Sequence, residues 1–369
     1  MERRGGAPAN GRAAARTIEG DRPRWQPALG VGLAGALMLA LVSSLMNREM
    51  TPRGDDLIYE RMAQHPFATH TFPFAYRIGL PWLVHVLPVS HTLSFELLAW
   101  VAAGGAAAFA YLLMRHFGAP HAVACGLALA LALSPPLLLV SLRGGRNTDA
   151  ATVLFMMAAT LFVVERRLLL LTITLAIGVL IREAELFILP LAYAVWAERW
   201  LDLDAAKRTL AVGAPALALY CGLHVAISPV GEAQVPGYGG SLIAQRLTVL
   251  RDGVHNLFPE ARRMLSVFGP LWIAAPLALL TMRFARRGLV LVGACLVAMT
   301  FALDWGRMIL LAAPVFYPAG AHFLTIRPRW RTPAIAAFAI LIVGYAIYMQ
   351  HSGVRTGIID NPAPPYPVR

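Results

Sequence analysis

Two adjacent carboxylates, Asp55 and Asp56, and a set of arginines recurring at the ends of apolar runs are the residues best suited to chemistry in this chain. A carboxylate held at a membrane surface can take a proton from an acceptor hydroxyl if it stays ionised and lies within hydrogen-bond reach. Arginine supplies the complement, because its forked donors match phosphate oxygens two at a time. The stretch Arg143-Gly144-Gly145-Arg146-Asn147-Thr148-Asp149 places two arginines around flexible glycines, a pattern able to wrap a phosphate. It lacks the Gly-Lys-Ser/Thr ending of a nucleotide-binding phosphate loop. Arg77, Arg182 with Glu183, Asp304 with Arg307, and Tyr59 four residues beyond Asp55 complete the set. Each has a plainer reading: Asp55, Asp56, Thr148 and Asp149 as helix caps, and Arg182–Glu183 and Asp304–Arg307 as local ion pairs.

The elements that must position these groups are helices in a membrane. Of the 369 residues 58% are hydrophobic and 14% charged, and the mean hydropathy is +0.61, far from a soluble globular composition. Crossing the hydrocarbon takes about 20 apolar residues. Apolar runs at 27–46, 95–114, 122–142, 150–164, 168–181, 184–197, 210–227, 265–282, 289–303, 308–324 and 333–349 predict an all-α, polytopic bundle of about eleven transmembrane helices. The runs at 168–181 and 184–197 are short, and a single helix through them would bury Arg182, Glu183 and Glu185 at mid-membrane. A hairpin with a recessed tip is expected instead. Outer loops at 47–93 and 228–263 are long enough to carry interfacial helices.

Lys and Arg favour the cytoplasmic side. The tail, residues 1–26, holds Arg3, Arg4, Arg12, Arg16, Arg22 and Arg24, so the N-terminus is expected inside, with residues 27–350 as the transmembrane domain. The Pro-rich segment 351–369 is expected outside and disordered. On this topology Asp55, Asp56, Arg77, Arg143, Arg146, Asp149, Arg182, Glu183, Asp304 and Arg307 all fall on the outer face. Ionisable groups at membrane depth usually mark a substrate path or an active site. The net charge of +12 is then mostly a topology signal reinforced by attraction to anionic lipid, and nucleic acid need not be invoked. Cys125, Cys221 and Cys295 lie within apolar runs as small fillers. The outer histidines His65, His70, His85 and His91 lack a matched metal-ligand set.

The Asp-rich segment after the first span, Gly54-Asp55-Asp56-Leu57-Ile58-Tyr59, followed by Pro73-Phe74-Ala75-Tyr76-Arg77, resembles the first exoplasmic loop of the GT-C superfamily of multi-pass glycosyltransferases and their bacterial relatives. The resemblance covers roughly residues 27 to 93. It implies a catalytic base at Asp55 or Asp56, Asp55 matching the spacing to Tyr59 slightly better. It also implies a polyprenyl-phosphate-linked sugar donor, a glycan, lipid or protein acceptor, and a place in the cell inner (plasma) membrane. No cofactor is firmly implied, and a divalent metal is left open. A secondary transporter or a lipid or oligosaccharide flippase is the alternative, against which stand the one-sided charges and the lack of an internal repeat. A non-catalytic assembly subunit is a third possibility.

Overall fold

The computed structural model describes residues 25–52, 54–68, 74–227, 251, 257–299 and 305–352. Among these residues every regular element is helical. Helix α1 is Trp25–Leu45, and two short helices, α2 (Asp55–Gln64) and α3 (Gly79–Val86), follow it. The expected interfacial helix of the second long loop lies largely outside the described residues. Then come α4 (His91–His116), α5 (His121–Ala132), α6 (Pro135–Leu142), α7 (Asp149–Val164), α8 (Leu168–Ile181), α9 (Ile188–Trp196) and α10 (Leu203–Ala226). The last group is α11 (Leu257–Phe268), α12 (Leu271–Ala278), α13 (Arg283–Met299), α14 (Trp305–Leu310), α15 (Ala313–Ile326) and α16 (Arg331–Ser352).

Among the described residues four stretches are long and apolar enough to cross a membrane: Trp25–Leu45, His91–His116, Leu203–Ala226 and Pro328–Gln350. The other apolar runs form shorter or broken helices. The run at 122–142 bends by 41° between α5 and α6, because Pro135 and Pro136 carry no amide hydrogen to continue the ladder. The 265–282 run breaks in the same way at Gly269-Pro270, between α11 and α12.

The centre is α4, whose alanines Ala99, Ala103, Ala106, Ala107 and Ala110 are buried. Against it α1 comes backbone to backbone: a Cβ added at Gly32 would sit 2.9 Å from the Gly104 carbonyl oxygen. Small residues permit that approach, and close van der Waals packing is what joins helices where lipid removes the hydrophobic drive. The outer face of α1 shows Leu29, Leu33, Leu37 and Leu41 one turn apart, all exposed. On α16, Ile335, Ile340, Val343 and Ile347 are exposed in the same manner. Apolar stripes of this extent suit lipid and not water, so the chain is an integral membrane protein.

The expected hairpin is present. Arg182, just past α8, bonds to Asp149 at the start of α7, whereas the Trp196 indole at the end of α9 donates to the Val163 carbonyl near the end of α7. The chain therefore runs up beside α7 and back down, with the 3-10 turn Glu183–Phe187 at its tip. The same end of the bundle receives the C-terminus of α1, through the Glu49 amide on the Leu142 carbonyl, and the C-terminus of α16, through Gln350 on the Asn47 amide. At the opposite end Arg287 donates to the Val195 carbonyl.

Candidate active site

Three turns and two short helices bring the ionisable residues together at the first of these ends. Helix α2 starts at Asp55 after Gly54, whose φ of +52° turns the chain sharply. No side chain caps that helix, and both carboxylates sit in its first turn, so capping does not explain them. Asp56, Tyr59, Met62 and Ala63 form the buried face of α2. The Tyr59 hydroxyl lies 3.4 Å from Thr148 Oγ1 and accepts from Arg77 Nη1 at 3.3 Å.

The loop between α6 and α7 is built on two glycines. Gly144 and Gly145 have φ of +73° and +70°, and their amides bond to the Ser141 and Val140 carbonyls, which closes the end of α6. This is the left-handed C-cap that glycine fits best. A Cβ at Gly145 would collide with the Phe95 carbonyl. The consequence is positional: Arg143 and Arg146, on either side of the glycines, both reach α2. Arg143 Nε donates to Asp56 Oδ2 at 2.8 Å, and Arg146 Nε to Glu60 Oε2 at 2.8 Å, with Arg146 Nη2 3.2 Å from Thr92 Oγ1.

Asp149, at the first position of α7, is the hub. Its Oδ1 accepts from Arg182 Nη1 at 2.5 Å, its Oδ2 from Arg307 Nε at 2.5 Å, and Oδ1 again from Arg307 Nη2 at 3.3 Å. Arg307, on α14, also donates to Asp55 Oδ2 at 3.0 Å and to Asn147 Oδ1 at 2.9 Å. Arg182 Nη2 is 3.7 Å from Met308 Sδ. Arg77 makes a two-pronged ion pair with Glu183. Arg182 and Glu183 therefore do not form the local pair that their adjacency offers. Each is bonded to a distant segment, because the turn points the two side chains to different partners.

Among the described residues five guanidinium groups thus face five carboxylates. Asp55 is the more open of the first-loop acids, with 26% of its side chain exposed against 5% for Asp56. Burial pushes the Asp56 carboxyl up to about 7, against the opposing pull of Arg143. Asp55, Asp56, Tyr59, Arg77, Arg143, Arg146, Asp149, Arg182, Glu183 and Arg307 all belong to this cluster, while Asp304 lies outside the described residues. Sequence reasoning missed Glu60, Thr92, Asn147 and Thr148 as partners. Glu60 was within reach of it, since it stands one helical turn from Asp56 on the same face. Glu185 is also buried, and neither of its carboxylate oxygens has a hydrogen-bond partner.

No family model and no curated protein matches the sequence. Solved structures do match. The archaeal oligosaccharyltransferase AglB from Archaeoglobus fulgidus, in complex with an inhibitory peptide and a dolichol-phosphate, superposes with a TM-score of 0.52 at 16% identity over 90% of this chain and 56% of that chain. The Archaeoglobus fulgidus oligosaccharyltransferase in complex with Zn and sulfate gives 0.51 at 14% identity, over 89% and 53% of the two chains. The same organism's enzyme tethered to an acceptor peptide by a disulfide gives 0.52 at 15% identity, over 89% and 56%. The chain spans little more than half the length of these neighbours, and the likeness is one of fold: it has the GT-C architecture.

Proposed function

We propose that this chain, carrying the GT-C fold, is a multi-pass membrane glycosyltransferase that moves a sugar from a polyprenyl-phosphate donor to a glycan, lipid or protein acceptor at the outer face of the cell inner membrane. The observation that carries the reading is the pairing of Asp55 with Arg307, next along α2 to the Asp56–Arg143 pair, at one end of the bundle. Asp55, Arg307 and Arg143 keep 26%, 17% and 22% of their side chains exposed, whereas those of Arg77, Arg146 and Arg182 are buried. The open groups are those a substrate can reach. The neighbour recorded with a dolichol-phosphate and a peptide supports a lipid-linked donor and a macromolecular acceptor.

In the proposed reaction the acceptor oxygen attacks the anomeric carbon of the donor sugar, and the bond from that carbon to the phosphate oxygen breaks with its electron pair left on the phosphate. Asp55 receives the acceptor proton. Arg143 and Arg307 meet the charge that develops on the departing lipid phosphate, where preorganised donors contribute most. Arg146, Arg182, Arg77, Tyr59, Glu183 and Asp149 hold this geometry from behind. The N-terminal tail is cytoplasmic, and about eleven crossings, some of them broken, place the cluster outside.

The zinc recorded with one neighbour raises the question of a metal here. Among the described residues no group of three His, Cys, Asp or Glu is placed to hold one. The oxygens of Asp55, Asn147 and Asp149 are spread around the Arg307 guanidinium, bonded to its Nη1, Nη2 and Nε respectively. The set does not fit an added divalent ion, and no step is assigned to one.

The test is turnover. Purified protein in liposomes, given a polyprenyl-phosphate-linked sugar and membrane acceptors, is expected to release polyprenyl phosphate and glycosylate the acceptor. Movement of the intact donor across the bilayer without cleavage would instead establish the flippase.

A further inference from the structure

Oxygens of the kind that bind divalent cations surround the Arg307 guanidinium, spread over its Nε, Nη1 and Nη2. Asp149 offers both carboxylate oxygens to Arg307, Asp55 offers Oδ2, and Asn147 offers its amide oxygen, from two segments far apart in sequence. The Asn147 amide is oriented for the purpose, because its Oδ1 also accepts the Asp149 backbone amide at 3.3 Å. Carboxylate and amide oxygens are the ligands hard divalent cations take, at separations near 2.0–2.6 Å. Here the donors stand 2.5 to 3.3 Å from guanidinium nitrogens instead. We infer that Arg307 is a built-in cation occupying the position a divalent metal would need, so that this site binds no metal and works without one.

Charge supports the geometry. Asp55 and Asp149 carry two negative charges, and Arg307 with Arg182 supplies two positive ones within bonding distance. A divalent ion entering this set would add two charges beside Asp149, whose side chain is only 2% exposed, where uncompensated charge costs more than in water. Arg307 also does for the donor what a cation does: it offers a fixed positive charge beside Asp55 at the open side of the cluster. That catalytic meaning rests on the glycosyltransferase reading, but the occupancy of the site does not.

The experiment is Mn2+ binding, followed by electron paramagnetic resonance of the unbound ion, on the full-length protein in detergent with no donor present. The wild type is expected to show no saturable binding. Arg307→Ala empties the centre of the oxygen set and is expected to bind Mn2+ at least about tenfold more tightly than the wild type. Arg307→Lys keeps the charge and is expected to bind none. Adding Asp149→Asn to Arg307→Ala is expected to abolish the gain. Saturable binding by the wild type that Asp149→Asn removes overturns the inference, and this measurement stands even if Arg307→Ala does not fold. A folded Arg307→Ala protein with no gain overturns it as well. Failure of sugar transfer would leave these results untouched, so the two readings fall separately.

Discussion

Asp149→Asn is the substitution whose cost the structure fixes best. Asp149 is 2% exposed and accepts three charge-assisted bonds, one from Arg182 and two from Arg307. Asn keeps the size but has one acceptor oxygen, and its amide nitrogen must face one of the two guanidinium groups. Arg182, itself buried, then loses its carboxylate partner. Breaking a buried ion pair from one side costs roughly 3–5 kcal/mol, because the remaining charge is left in low dielectric. Asp55→Asn removes a carboxylate that is 26% exposed and paired with Arg307 alone of these two, so water screens the loss to about 1 kcal/mol or less. Thermal unfolding of the purified variants in detergent, followed by size exclusion after heating, is expected to show a fall in Tm for Asp149→Asn several times that for Asp55→Asn. A cycle with Arg182→Met is expected to return a coupling of at least about 1 kcal/mol. Equal shifts for the two Asn variants would refute the reasoning, since they would mean that Asp149 is no more committed to the network than Asp55.

Gly145→Ala is expected to lower the folded yield sharply, because it adds left-handed backbone strain of about 1–2 kcal/mol to a collision with Phe95; Gly126→Ala, with nothing within 4 Å of the added atom, is expected to be neutral. The folded state holds the Asp56 proton up to about 7 against an ordinary value of 3.8, so ionising this group removes stability as pH rises through that window. The Tm advantage of Asp56→Asn over wild type should therefore grow between pH 4 and pH 8, and a flat difference would contradict the burial argument. Arg143→Gln is expected to weaken binding of the lipid-phosphate donor by about 1.5–3 kcal/mol, measured on liposomes. In a cysteine-free background Thr51→Cys is expected to react with an impermeant thiol reagent from outside and Leu201→Cys, at the other end of the bundle and exposed, to be protected; the reverse pattern would invert the topology.

The helices were legible because apolar runs leave the chain few alternatives in lipid, and ten of the eleven runs coincide with one helix or a broken pair. The remaining run, 184–197, opens on a 3-10 turn before α9. What could not be read was the geometry of the break: Ser134-Pro135-Pro136 warns of it but does not set the 41° between α5 and α6. The gathering of charges at one end was legible from topology alone, since loops that follow alternate spans must share a face. Their pairing was not. Adjacent Arg182 and Glu183 invite a local bond, yet the extended backbone at Arg182, φ −161°, sends one side chain to α7 and the other to Arg77. Likewise nothing near Asp55 in sequence announces Arg307, which arrives from 252 residues away.

The central claim, that Asp55 is the base of a sugar transfer, is tested most directly by comparing Asp55→Asn with the wild type for single-turnover transfer from a polyprenyl-phosphate-linked sugar, with donor binding measured on the same preparations. Asn is close in size to Asp but takes no proton at neutral pH. The account predicts a fall of at least about 10² in transfer rate with donor binding retained. Transfer at the wild-type rate by Asp55→Asn would contradict it.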